Sequence, residues 1–549
     1  MKVKTVNILQ NPLSEQILFA IIVLLNALPV LLFEFFPTMD GPAHLYNSNL
    51  INTLLFKGHS DISLYFAINH LPVPNWSGHF ILAILNLLFP AYVAEKVLLI
   101  VYAFGFPLSF RYFVVTIHPA NKSLSYLILP FLYTLLFYLG FYNLCLSFIL
   151  YFLIIAFWHK NRENLSFPFF VKAFFLFMLM YFTHVLMYAF LCLTILLLEI
   201  IPFLNSFINK QLDRKTFLQY TRRYVYILLS ASLSLALFYV FKKNAHFFSS
   251  GNRLSVDELI RWIKDIRPAI ALNYERELRL TEIMYHVYLF LFFITIFLRI
   301  QAFPVDKNLS GSGKIRQILM TFFSMKDIWL LLAFISFVLY FVVPDAAGAG
   351  MMSDRFCLLF YIMYITWLAL QDFPGWVRNM AATAIVILSL FMVNRYIYST
   401  KFLNADAEEI YNAAANIKPN SIVLPVNLSD NWLELHFSNY LGADKPMVIM
   451  ENYEADVGWF PVKWNDKMLP VTLLGDQRPK NVCLSWRSPE KSEQVRQIDY
   501  IMVWGDLKKE YSSCNDSLMK VIRSDYKPVY TSPRHFVKIY ERLKNSDNK

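Results

Sequence analysis

Long apolar runs separated by short polar loops fill the first 396 residues, and the pattern then shifts to short β-rich runs alternating with helical ones. Eleven apolar runs, at 17–36, 92–110, 123–139, 141–157, 168–184, 186–201, 224–241, 283–300, 327–343, 355–371 and 379–396, fit membrane helices. A helix of roughly 17–21 residues crosses a ~30 Å hydrocarbon core. A twelfth run, 79–90, is too short to span and reads as a helix lying along the interface. Within the long loop 244–282, Ser255 and Glu258 have capping-box spacing. Val256, Leu259, Ile260, Ile263 and Ile266 follow at helical intervals, so the loop carries an amphipathic helix. After residue 400 the pattern predicts a helix at 405–416 and strands at 421–426, 446–450, 499–504, 528–530 and 536–540. The expected architecture is an all-α polytopic membrane bundle of about 11 transmembrane helices with a C-terminal extracytoplasmic α/β domain. Its boundaries fall at 1–399 and 400–549, the bundle including outer loops 37–91 and 244–282.

Composition agrees with a bilayer environment. The chain is 57% hydrophobic and 16% charged, with mean hydropathy +0.43, where soluble proteins average about 25% charged. The first run lacks a small-residue cleavage site and reads as a retained helix rather than a signal peptide. The net charge of +11 lies wholly before residue 397, because twenty basic and twenty acidic residues balance beyond it. Lys and Arg concentrate in the loops around 160–162, 210–223 and 307–326, which the positive-inside rule keeps cytoplasmic. The expected topology places the N-terminus inside and the C-terminal domain outside. A basic chain without a groove-reading module gives no support for nucleic-acid binding, and nothing resembles a P-loop. Cys145, Cys192 and Cys357 lie in or beside apolar runs, leaving Cys483 and Cys514 as the pair that an outer domain could oxidise to a disulfide.

The candidate chemistry collects at the ends of runs that this topology turns outward. Asp40 follows the first run by four residues, in the stretch MDGPAHLYN at 39–47. A carboxylate at that depth is costly unless solvated or used. Asp40 reads as a general base; the alternative is a helix cap before Gly41 and Pro42. His44 stands one turn later and reads as an orienting group, a phosphate contact or a metal ligand, against an ordinary loop hydrogen bond. Arg355 opens a run after the loop 344–354, where a guanidinium suits bidentate phosphate binding, against interfacial snorkelling or a pair with Asp354. His184, beside Thr183, and the pair Tyr142 and Asn143 complete the substrate-binding candidates, with interhelical hydrogen bonds as their bland reading. Glu451, Tyr453, Glu454 and Asp456 read as a charged loop on a soluble domain, with contact to an acceptor as the alternative.

These features together resemble the GT-C class of polytopic glycosyltransferases. The resemblance rests on Asp40, Pro42 and His44 as an Asp-x-Pro-x-His start, the run from Gly140 to Asn143, Thr183 with His184, Pro344 to Arg355, Glu451 to Asp456, and Phe460-Pro461-Val462. It covers the whole chain in layout, through short motifs. It implies an enzyme taking a sugar from a polyprenyl phosphate or pyrophosphate, with the first-loop acid as base or metal ligand. Where members carry a second acid, this chain offers Asn143. A divalent cation is the one cofactor the resemblance allows, with Asp40 and His44 as its ligands.

The functional expectation is a glycosyltransferase of the bacterial cytoplasmic (inner) membrane. It moves a hexosyl or pentosyl group from a polyprenyl-phosphate-linked donor to a glycan, lipid or protein acceptor on the outer side. A transporter or flippase of lipid-linked glycans is the rival reading. It would place polar and helix-breaking residues at span midpoints, whereas here they gather at span ends. A membrane-anchored binding protein acting through residues 400–549 is the third.

Overall fold

The computed structural model describes residues 12–56, 61–244, 253–301, 324–348, 350–465, 468–470, 472–474, 484–486, 497–506 and 513–543. The chain divides into two compact units: residues 1–28, 102–137 and 144–396 form one, and residues 29–101, 138–143 and 397–549 the other. Helices run in the order α1 (Pro12–Leu31), α2 (Gly41–Phe56), α3 (Trp76–Leu88), α4 (Ala91–Ile117), α5 (Leu135–Tyr138), α6 (Tyr142–Asn161), α7 (Phe167–Thr183), α8 (Val185–Ile208), α9 (Arg214–Asn244), α10 (Val256–Lys264), α11 (Tyr274–Gln301), α12 (Ile328–Val342), α13 (Met352–Ala369), α14 (Gly375–Ala413), α15 (Glu454–Val457) and α16 (Ser513–Asp525).

Among the described residues, eight helical stretches are long and apolar enough to cross a membrane: α1, α4, α6, α8, α9, α11, α14, and α12 with the short turn before it. Helix forms at ten of the eleven expected places. The exception is 123–139, which is not a spanning helix: it consists of 3₁₀ turns over Pro119–Phe131 and the single turn α5. Pro119 and Pro130 each remove a backbone donor. The segment is buried from Ser123 to Leu139, and irregular backbone is tolerated at membrane depth only where protein encloses it. Residues 79–90 meet the expectation of a short helix as the 13-residue α3. In α10 the Ser255 hydroxyl accepts the Glu258 N–H at 3.2 Å, as the sequence spacing required.

Within the first unit α13 is buried along almost its whole length, while α9 and α11 leave apolar side chains such as Leu228 and Phe293 exposed. One buried charge of this unit shows how pairing works. Arg111 grips the fully buried Glu15 through both oxygens, at 2.7 and 2.5 Å, as charge in an apolar interior demands.

The second unit carries a five-stranded sheet in the order β3-β2-β7-β9-β8. Its strands are β2 (Ile422–Leu428), β3 (Val448–Ile449), β7 (Tyr500–Gly505), β8 (Tyr526–Thr531) and β9 (Val537–Arg542), one at each expected place. β2 pairs parallel with β3 and β7, in register Val423 to Ile449 and Val423 to Tyr500. β7 and β8 flank β9 antiparallel. β2 and β7 are buried at every position, which fits continuous apolar strands covered on both faces. Two small antiparallel pairs accompany the sheet: β1 (Phe66–Ile68) with β4 (Val462–Trp464), and β5 (Thr472–Leu474) with β6 (Leu484–Trp486). The disulfide expectation lies outside the described residues, since Cys483 is not among them.

α2 belongs to this second unit and departs from an amphipathic pattern. Every residue from Gly41 to Thr53 is buried, including Asn47, Ser48, Asn49 and Asn52. The polar side chains find partners there: Asn49 donates to the Gly442 carbonyl at 2.8 Å and Asn52 to that of Ala83 at 2.9 Å. Tyr46 donates to the Met447 carbonyl beside β3 at 2.7 Å. A polar helix becomes a core helix when its side-chain amides find such bonds.

Candidate active site

Asp40 stands immediately before α2, and its place is set by backbone. The N–H groups of Met39 and Asp40 donate to the carbonyls of Tyr138 and Leu139, at 2.9 and 3.2 Å. Gly140 follows in the left-handed region (φ +86°), and a Cβ there would come within 2.8 Å of the Asp40 backbone nitrogen. Gly41 is as restricted: a Cβ would meet Glu95 Oε1 and Tyr142 Oη at 2.4 Å. Two glycines therefore let two segments close around the carboxylate.

The helix-cap alternative for Asp40 is not realised. The Gly41 N–H donates to Thr38 Oγ1 at 3.1 Å, and Asp40 Oδ1 is buried without a hydrogen bond. Burial pushes the Asp40 pKa up to about 6, against the opposing pull of His436 and His44. Glu454 adds to the rise, and the Tyr453 phenol beside the carboxyl opposes it.

His44 lies one turn along α2. Its Nε2 donates to the Gly140 carbonyl at 2.8 Å, and Nδ1 meets Glu454 Oε1 at 2.5 Å. Burial disfavours its cation, yet the charge and hydrogen bond of Glu454 outweigh this and lift the pKa to about 9. Glu454 also meets His79 Nε2 and accepts from Asn47, both at 2.8 Å. Burial raises its pKa, but His44 and His79 prevail and hold it near 2. The His44 and His79 rings pack edge to face, centroids 4.8 Å apart.

A second imidazole–carboxylate pair stands on the other side of Asp40. His436 Nε2 is 3.6 Å from Asp40 Oδ1, and its Nδ1 bonds Glu451 Oε1. Glu451 Oε2 accepts from Ser438 and Asn439, at 3.0 and 2.6 Å. The His436 ring stacks on Tyr453 at 4.4 Å. Burial lowers the His436 pKa, but Glu451 and Asp40 together raise it above the ordinary value.

Tyr142 and Asn143 share this unit as braces. Tyr142 Oη joins Thr38 Oγ1 at 2.8 Å and donates to Glu95 at 2.6 Å. Asn143 accepts the Gly78 N–H at 2.7 Å and donates to the Asn75 carbonyl at 3.1 Å, fixing the start of α3 just ahead of His79.

The first unit brings together the remaining two candidates. Arg355 Nη1 lies 3.3 Å from His184 Nε2, and Arg355 Nε donates to the Gly350 carbonyl at 3.2 Å. His184 Nδ1 accepts the Met187 N–H as the cap of α8. That bond leaves the hydrogen on Nε2, so two donors meet.

Several site residues escaped the sequence reading. His79 and His436 went unnoticed, because a lone imidazole in an apolar stretch has no local mark of its partner. Glu451 and Glu454, read as a charged surface loop, are buried instead. Their spacing of three, with only Asn452 and Tyr453 between, was the one signal available. For a cation, the structure offers His44, His79 and Glu454, whose donor atoms lie within 4.8 Å of one another. This set keeps His44 from the expected pair and has His79 and Glu454 in place of Asp40. Both imidazoles direct their other nitrogen to a backbone carbonyl, Gly140 and Asn75 respectively, the arrangement that orients metal-binding histidines. The donor chemistry therefore fits a divalent ion.

No family model and no curated protein matches the sequence. Solved structures do match in fold, two of them of one protein. The crystal structure of ArnT from Cupriavidus metallidurans bound to undecaprenyl phosphate aligns with TM-score 0.55 and 9% identity, over 97% of this chain and 99% of that one. The apo state of the same protein aligns with TM-score 0.54 and 8% identity, over 96% and 98%. At such identity the likeness is one of fold, and it spans both the helices and the C-terminal region. It bears out the expected layout of a polytopic helical bundle with a C-terminal α/β region.

Proposed function

We propose that this chain is a multi-pass membrane glycosyltransferase that takes its sugar from a polyprenyl-phosphate-linked donor. The observation that carries the reading is the buried Asp40 carboxylate, with one oxygen free of hydrogen bonds and a pKa raised to about 6. A base poised near the working pH is what proton abstraction from a hydroxyl needs. Support for the donor class comes from the shared fold and from the undecaprenyl phosphate bound by the structural neighbour.

In the proposed reaction an acceptor hydroxyl attacks the anomeric carbon as the bond from that carbon to the phosphate oxygen breaks. Asp40 takes the hydroxyl proton, and the polyprenyl phosphate leaves with the bonding electrons. In the first unit, Arg355 and His184 form a pair suited to a phosphate, since an anionic oxygen satisfies the two donors that otherwise meet each other. Tyr142 and Asn143 act by holding the turn before α2 and the start of α3. A divalent cation, held by His44, His79 and Glu454, would supply positive charge to the departing phosphate. The acceptor is a glycan, lipid or protein on the outer side of the bacterial cytoplasmic membrane.

The test uses the full chain in lipid nanodiscs with a panel of undecaprenyl-phosphate-linked hexoses and pentoses, counting released undecaprenyl phosphate by mass spectrometry. Asp40→Asn is expected to lower turnover by about 10²–10⁴-fold, with folding and membrane insertion unchanged. Full turnover in that variant removes the assignment.

A further inference from the structure

The C-terminal region supplies two residues that the transfer reaction described above does not use. His436 faces Asp40, and Glu451 holds His436 from behind. All three members of this array are fixed independently of any substrate. Glu451 is held by Ser438 and Asn439 on its second oxygen. The His436 ring is clamped by stacking on Tyr453. Asp40 is set by the backbone bonds to residues 138 and 139. Asp40, His436 and Glu451 are buried, so water does not screen the interaction. A carboxylate that anchors one imidazole nitrogen while the other faces a reacting group is the arrangement that fixes tautomer and direction in hydrolytic triads.

We propose that His436, anchored by Glu451, is a positioning residue for Asp40: it directs the free carboxylate oxygen towards the place the acceptor hydroxyl takes. The inference rests on the transferase reading and deepens it. With a hydrogen on each ring nitrogen, His436 donates from Nδ1 to Glu451 and presents its Nε2–H to Asp40 Oδ1 at 3.6 Å, a gap that closes to a hydrogen bond when substrate is seated. The other groups facing Asp40 do not substitute for it. His44 has both nitrogens committed, to Gly140 and Glu454. Glu454 repels the charge on Asp40, and the Tyr453 phenol lies beside the same carboxyl. No proton is consumed by this role: the hydroxyl proton still ends on Asp40.

The nanodisc assay with the undecaprenyl-phosphate sugar panel tests the inference. His436→Ala is expected to lower kcat by about tenfold to a hundredfold with the donor KM unchanged, and millimolar imidazole in the buffer restores part of the rate. Glu451→Gln keeps the side-chain volume but turns an acceptor into a donor at His436 Nδ1. It is expected to lower kcat less than His436→Ala, and the double variant to be no slower than His436→Ala alone, because Glu451 acts through His436. Normal kcat in both single variants overturns the inference, and so does a loss that imidazole does not rescue in folded protein. Where His436→Ala fails to fold, Glu451→Gln decides: normal kcat in it overturns the inference. If instead Asp40→Asn keeps its turnover, the transferase reading falls first and this one with it.

Discussion

Asp40 feels two opposed influences, burial that favours the neutral acid and two neighbouring imidazoles that favour the carboxylate. Burial prevails and the pKa stands at about 6, so the sign of the pH effect follows directly. A general base works only when ionised; kcat/KM in the nanodisc assay is expected to be flat above about pH 7 and to fall about tenfold per unit below about 6. A flat profile down to pH 4 would remove Asp40 as the titrating base. The residues around it show how far local chemistry can be read from a sequence. Asp40 and His44 stand one helical turn apart, and a short spacing on one element survives folding intact. His436 is 396 residues from Asp40, and no spacing rule reaches that distance.

At the scale of elements, glycine and irregular backbone decide what the helices can hold. Gly140 takes a positive φ against Asp40, where any Cβ also collides with backbone. Gly140→Ala is expected to destabilise the protein by at least ~1–2 kcal/mol, read as a lower melting temperature in detergent, together with lost turnover as the 138–140 segment moves away. An unchanged melting temperature and rate would show that the close approach is not needed. The segment 123–139 carries the companion lesson. Its hydropathy matches a span, but full burial and Pro130 go with 3₁₀ turns and one short helical turn instead. Hydropathy measures the cost of contact with water, and it is silent on whether lipid or protein covers the residue. The same blindness made Glu451 and Glu454 look like surface charges. The polar α2 shows the converse, a helix of modest hydropathy that burial accepts because its side-chain amides are bonded.

At the scale of the whole molecule, the Lys and Arg loops around 160–162, 210–223 and 307–326 are expected on the cytoplasmic side and residues 400–549 outside. Alkaline phosphatase fused after Lys549 is expected to be active in intact bacteria, and a green fluorescent protein fused at the same point dark. The opposite pair of results would reverse the topology and, with it, the side on which the acceptor is sought. The two compact units take residues from widely separated parts of the sequence, the second joining 29–101 and 138–143 to 397–549. Compactness groups residues by contact, which a linear boundary between apolar and mixed sequence does not record.

The amino-acid order alone determined where helices and strands form, because backbone periodicity and the cost of wetting apolar side chains act over a few neighbouring residues. It settled ten of the eleven apolar helices and the five strands of the C-terminal sheet. Folding in three dimensions decided the company each charged group keeps: His79 and Glu454 for His44, His436 for Asp40, Arg355 for His184. Ionisation inside a protein depends on the few ångströms around a group, and those neighbours come from anywhere along the chain.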